Sequence, residues 1–206
     1  MRTLRTTLLV TAPPLLLAVA GLVHPRHLTG ATAGHWAGLH IVLLPAFPLL
    51  SLGLLVPLWG RPGRDADGVL TVLAWTGCLG YAAYYSGLDA VAGISAGTVA
   101  GLGVHGVVGH LFATGDELGR AGVYALTVAA VATCVVLVRR NGARVLPGAV
   151  VVLGACWSFL DSHIFWPRGV FTMLGFAAGF ALLTVAASRG DHVPPVRPTG
   201  RRLTKS

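Results

Sequence analysis

Residues 90–112, AVAGISAGTVAGLGVHGVVGHLF, decide the topology of this chain, because the segment is apolar and long enough to cross a lipid bilayer. Six other stretches have the ~17–25 apolar residues that a ~30 Å hydrocarbon core requires: 6–23, 36–59, 68–88, 118–138, 145–165 and 169–188. If residues 90–112 also cross, every later segment changes sides. The loop charges distinguish the two topologies.

The positive-inside rule favours six spans with both termini in the cytoplasm. With residues 90–112 outside, twelve basic residues lie inside and only Arg26, Arg120 and Arg168 lie outside. If the segment crosses, six basic residues lie inside and nine outside, against the rule. We therefore predict an all-α integral membrane bundle of six transmembrane helices in the plasma membrane. Its membrane domain is residues 1–188, with an outer glycine-rich segment at 89–117.

The outer segment is predicted to be a helical extension of the third span or a lid on the bundle. Its glycines suit close backbone packing rather than exposure to lipid. They are Gly93, Gly97, Gly101, Gly103, Gly106 and Gly109, with Gly87 just before. In the second span, Pro45 and Pro48 follow His40 and predict a kink beside it, because proline breaks the helical hydrogen-bond ladder.

Composition also suggests what happens at the two ends of the chain. Ala18-Val19-Ala20 fits a cleavage site after a basic and then apolar start, so loss of the first span stays an alternative. Residues 189–206 are rich in proline, arginine and glycine and are predicted to be a disordered cytoplasmic tail. The net charge of +8 favours anionic lipid headgroups at the inner face as partners, and no nucleic acid.

Seven of the eight histidines fall on or near the outer face in this topology, and only His192 stays inside. Neutral imidazole binds transition metals, and a carboxylate can complete the ligand set. His35 and His40 are five residues apart, or ~140° around a helix, so they cannot chelate from one straight helix. The six spans form three outward-pointing helical hairpins, and any site must be assembled from more than one of them. The sequence predicts an extracytoplasmic transition-metal or haem site, with copper favoured, for redox chemistry or metal handling.

Depth in the bilayer separates the candidate residues into two sets. The inner set is expected to be buried, because ionisable groups at such depth face the bundle interior or a wet cavity. It consists of His40, His163, Asp89 and Asp161. The looser outer set consists of His24, His27, His35, His105 and His110. For haem b, His40 and His163 would be the axial pair, and Gly38, Gly87 and Gly93 would leave space for the ring.

Two other classes of function stay open, and the sequence does not decide whether the protein is an enzyme. Asp89 or Asp161 could act without metal as a general acid on a lipid-soluble, isoprenoid-like substrate. The protein could instead be a transporter, a sensor or a subunit of a complex, using histidines that titrate near neutral pH. Gly175 and Gly179 form a G-x-x-x-G pair that can join helices within the bundle or in a homodimer.

Three segments resemble a family of small, histidine-rich polytopic membrane proteins of high-GC bacteria. They are HPRHLTGATAGHWAGLH at 24–40, YYSGLDAVAGISAG at 84–97 and DSHIFWPRG at 161–169. The resemblance covers most of the chain outside the tail. It implies the polytopic architecture and carries no activity with it.

Overall fold

The computed structural model describes residues 1–188, and all regular structure in that range is helical, which confirms the all-α prediction. The predicted tail at 189–206, with His192, lies outside the described residues. The α-helices are α1 Arg2–Val23, α2 Ala33–Leu43, α3 Ala46–Leu49, α4 Leu52–Leu55, α5 Ala66–Leu88, α6 Ala96–Gly101, α7 Val108–Asn141, α8 Leu146–Phe159 and α9 Arg168–Ser188. A π-helix covers Asp89–Ser95, and 3-10 turns cover Val56–Leu58 and Gly142–Val145.

Three helical segments of the described chain are long and apolar enough to cross a membrane: Arg2–Val23, Val108–Phe159 and Arg168–Ser188. The bent pair Ala33–Leu43 and Ala46–Leu58 would make a fourth. The predicted six spans are therefore not clearly shown by length and hydropathy. One reason is that Val108–Phe159, with 52 residues, contains both α7 and α8. Another is that α5 has an acidic residue, Asp67, in its first turn and three tyrosines in its last third, which lower its hydropathy.

The second predicted span is broken beside His40, as its prolines predicted. Helix α2 ends at Leu43, and the following helical stretch is bent from it by 41°. Pro45 lies in the break, and Pro48 follows within α3. Since proline has no N–H to donate, neither can continue the hydrogen-bond ladder of α2. The break lets α2 pack against the π-helix and α6 while α3 packs against α5.

The start of the predicted outer segment continues α5 as helix, through the π-helix and α6, to Gly101. Its glycines at every fourth position face α2. A Cβ atom on Gly93 would collide with the ring of His40, and one on Gly97 would collide with Ala37. The predicted close packing is therefore present at these positions, while Gly103, Gly106 and Gly109 border open space. The π-helix begins at Asp89. Because π-helical turns are frequent at functional sites, Asp89 is a candidate functional residue.

Helices α5 and α7 form the most extensive contact between helices of the described chain and run antiparallel. Asp67, in the first turn of α5, accepts hydrogen bonds of 2.8 Å from Arg139 and Arg140 in the last turn of α7. We refer to these three residues as the basic end of the bundle. Helix α5 has 23 residues and is ~35 Å long, so Asp89 lies at its opposite end.

Helix α9 packs against both α1 and α8. Gly179 of α9 faces Val152 of α8, and Gly175 lies near Ala155. The G-x-x-x-G pair thus serves contacts inside the protomer, which is one of its two predicted uses. A homodimer through the same pair stays a prediction.

Candidate metal centre

Three histidine side chains from separate segments meet at the end of the bundle that holds Asp89. His24 directly follows α1, His40 lies in α2, and His163 lies in the connection between α8 and α9. One ring nitrogen from each lies within 4.8 Å of the other two. Among residues 1–188, this is the one group of at least three side chains arranged to hold a metal ion. We call it the histidine triad.

Backbone carbonyls fix the tautomers of two triad members. The Nδ1–H of His24 donates to the carbonyl of Pro25 at 2.8 Å, and that of His40 donates to the carbonyl of Trp36 at 2.7 Å. In the neutral rings, each Nε2 therefore carries a lone pair, and these two nitrogens are 3.5 Å apart. Burial lowers the pKa of His24 to about 4, so its ring is neutral at pH 7. Two lone pairs at this distance repel unless a cation lies between them.

Hydrogen bonding and backbone packing both position His163. Its Nδ1 is 2.7 Å from the hydroxyl of the buried Tyr85. Its backbone has φ +44°, a left-handed conformation that costs a residue other than glycine about 1–3 kcal/mol. The neighbouring Ile164 lies between Gly21 of α1 and Gly169 of α9, where a Cβ on either glycine would collide with its backbone. The fold therefore tolerates a strained backbone in order to hold this ring in place.

Asp89 is a buried acid that has no hydrogen-bond partner among residues 1–188. Its side chain is fully buried, and neither carboxyl oxygen is hydrogen-bonded within that range. Oδ1 lies 3.9 Å from Nε2 of His40. Burial raises the pKa of Asp89 to about 8, so its carboxyl is mainly protonated at pH 7 when no cation is near it. A cation held by the triad would lie next to this group and would favour its ionised form.

The structure changes the membership of the two predicted sets. His40, His163 and Asp89 come together as expected, but His24, assigned to the outer set, joins them. Asp161 does not belong with them: its side chain is 65% exposed and forms an ion pair of 2.6 Å with Arg168. Because α8 ends at Phe159, Asp161 lies in the turn after the helix. The remaining outer-set histidines are exposed and outside the triad: His27, His35, His105 and His110.

The geometry fits a single ion rather than haem. The rings of His40 and His163 are nearly parallel, with centroids 6.1 Å apart, but Nε2 of His24 lies 3.5 Å from that of His40. A macrocycle between the axial rings would need the space that His24 occupies. The space expected beside two of the three glycines is also filled, by the ring of His40 at Gly93 and by Leu118 at Gly87, while Gly38 is exposed and borders open space. The haem alternative therefore lacks room for its ring.

Tyr85 and Tyr81 offer a matched test of how His163 is positioned. Both tyrosines are buried in α5, but only the Tyr85 hydroxyl contacts His163, while that of Tyr81 has no hydrogen-bond partner in the described part of the chain. Removing such an outer contact of a metal ligand typically costs ~10–100-fold in affinity. We expect this loss in metal affinity for Tyr85→Phe, measured by competition with a chelator, and no loss for Tyr81→Phe. Equal affinities in the two variants would contradict a positioning role for Tyr85.

Comparison of the chain with protein-family models, with curated protein sequences and with solved structures found no significant match. No relative therefore contributes an activity or a ligand.

Proposed function

We propose that this chain is an integral membrane protein that binds one transition-metal ion through His24, His40 and His163. The observation that carries the proposal is the pair of Nε2 lone pairs 3.5 Å apart, beside the unpartnered carboxylate of Asp89. One cation would lie between the two lone pairs and would favour the ionised form of Asp89. Three neutral imidazoles suit copper, zinc, iron or nickel rather than magnesium or calcium, which prefer oxygen ligands. Copper is the first ion to test, because it generally binds such nitrogen sites most tightly.

The ligand count favours chemistry at the metal over a purely structural role. Structural zinc sites are generally closed by four protein ligands, whereas catalytic sites keep three and leave a position open. The triad supplies three nitrogens. Redox chemistry and metal handling both use an ion that exchanges its remaining ligand. For the metal-free acid mechanism only Asp89 remains a candidate, since Asp161 is exposed and paired with Arg168.

Metal analysis of the detergent-purified protein tests the proposal. The protein, as purified and after incubation with Cu²⁺ or Zn²⁺ followed by removal of free ions, is expected to hold one equivalent per chain. Binding should protect the fold against heat, because a ligand that binds only the native state stabilises it. Protein that stays free of metal under all these conditions would overturn the proposal.

We further propose that the bundle crosses the plasma membrane six times, with the triad on the extracytoplasmic side. The ~35 Å length of α5 between the basic end and Asp89 matches a ~30 Å hydrocarbon core. The positive-inside rule then puts Arg139 and Arg140 in the cytoplasm. Anionic lipid headgroups are the partners that suit this end.

Cysteine labelling in intact cells tests the proposed sidedness. Gly30 is exposed near the triad, and Ala143 is exposed next to the basic end. The native Cys78, Cys134 and Cys156 are buried, so they should give little background. A membrane-impermeant maleimide is expected to label Gly30→Cys in intact cells and Ala143→Cys only after the membrane is opened. The reverse pattern would show that the triad faces the cytoplasm.

A further inference from the structure

A cavity of about 300 Å³ adjoins the histidine triad. His40 and His163 line it, whereas His24 does not. An ion held by the triad would therefore have His24 behind it and the cavity beside it. Three nitrogen ligands leave such an ion with a further coordination position. A molecule in the cavity is thus adjacent to that position.

Aromatic rings form much of the cavity wall. They are Trp36, Tyr85, Phe112, Phe159 and Phe165. Trp36 meets Phe112 edge to face at 5.8 Å, and Tyr85 stacks on Phe159 at 4.9 Å, which are favourable spacings for aromatic pairs. The aromatic ring of a bound molecule can make the same edge-to-face and stacking contacts with this wall. Since an apolar cavity of about 150 Å³ binds benzene, 300 Å³ suits one substituted ring.

The charged residues of the cavity lining select for a neutral, water-soluble molecule. Asp116, Arg120 and Asp161 line the cavity and are exposed, which marks its mouth. Asp161 is neutralised by Arg168, and Asp116 and Arg120 carry opposite charges on the same face of α7. The mouth therefore has no net charge to attract an ion. Charged side chains also do not suit a mouth that opens into lipid.

We infer that the metal centre is open to this cavity, and that the cavity takes a neutral single-ring phenol whose hydroxyl oxygen occupies the remaining coordination position. The inference rests on the proposed metal site and names its ligand class. The ring is recognised by the aromatic wall. The hydroxyl takes the place that water occupies in three-ligand catalytic sites.

Ligand binding to the Cu²⁺-loaded protein tests the inference. Azide is expected to give a new charge-transfer band, which shows that a coordination position is open. Phenol should displace azide at concentrations at least ~10-fold below those of cyclohexanol, which has a similar size and the same hydroxyl but no aromatic ring. No azide band, or equal competition by phenol and cyclohexanol, would overturn the inference.

Variants of α7 separate the cavity from the metal. Phe112→Trp and Val123→Phe enlarge side chains that line the cavity, on a helix that contributes no triad ligand. Both are expected to keep one equivalent of Cu²⁺ and to weaken phenol competition at least ~10-fold. Val128→Phe, at a 46% exposed position of the same helix, is the control and should leave phenol competition unchanged. Unchanged phenol competition in both cavity variants would contradict binding in this cavity.

Metal content distinguishes the two possible failures. If the wild-type protein takes up no Cu²⁺, the proposed function fails, and this inference fails with it before any ligand is added. If Cu²⁺ is bound but azide or phenol behaves otherwise than expected, the metal site stands and only its ligand class is wrong.

Discussion

Replacing His24, His40 or His163 by alanine is expected to lower the metal affinity by more than about 100-fold in each case. Changes to groups that merely orient a ligand cost ~10–100-fold, so loss of a ligand should cost more. His24→Ala is the most informative of the three, since the sequence did not place His24 in the inner set. Metal content after dialysis against a weak chelator measures the effect.

The exposed histidines provide matched controls for these variants. His105→Ala and His110→Ala change the same residue type at positions outside the triad. Both are expected to keep one equivalent of metal and the thermal stability of the wild type. If His105→Ala or His110→Ala instead loses its metal, the ion is bound elsewhere in the protein. If His24→Ala keeps full affinity, the triad is not the ligand set.

Gly93→Ala is expected to abolish metal binding and to lower the thermal stability of the protein. A Cβ at this position would collide with the ring of His40, so α2 must move away from the π-helix or the ring must leave the triad. Either change separates Nε2 of His40 from that of His24. Metal content and the midpoint of thermal unfolding in detergent measure the two effects.

Other glycines of the same region give a graded control series. A Cβ on Gly97 would collide with Ala37. Its effect on metal binding should be less direct than that of a Cβ on Gly93, because Ala37 is not a ligand. A Cβ on Gly101 would lie in ordinary contact, 3.5 Å from Ala33. Gly109, in the first turn of α7, borders open space, so Gly109→Ala should be neutral or stabilising by up to about 1 kcal/mol. Equal metal content in the Gly93→Ala and Gly109→Ala variants would contradict the packing of Gly93 against His40 as the cause.

Local patterns in the sequence predicted several features of this structure. The helical class follows from long apolar segments, the bend after His40 from Pro45, and the close packing at Gly93 and Gly97 from their lack of a side chain, although the sequence did not name α2 as the partner. Each depends on residues that are neighbours in the chain or on one helix face. The grouping of His40, His163 and Asp89 at one end followed from the alternating direction of the helices.

The position of His24 could not be derived in the same way. It depends on how closely α1 approaches the α8–α9 connection, and Gly21 and Ile164 set that distance from opposite ends of the sequence. Asp161 was misplaced because the sequence does not show that α8 ends at Phe159. With two more helical residues, Asp161 would have stayed in the last turn. The predicted end of this span, at residue 165, was six residues too late, and the error exchanged a buried acid for an exposed one.

The packing of Ile164 between Gly21 and Gly169 has a consequence for how the protein is made. Helix α1 leaves the ribosome first and α9 last among the described helices, yet both hold the loop that carries His163. The packed position of this loop, and with it the geometry of the histidine triad, is therefore complete only when α9 has docked onto α1. In the proposed membrane topology, this docking would follow the insertion of the earlier helices. A metal ion bound as proposed would then be loaded last and would link the two ends of the helical bundle to each other.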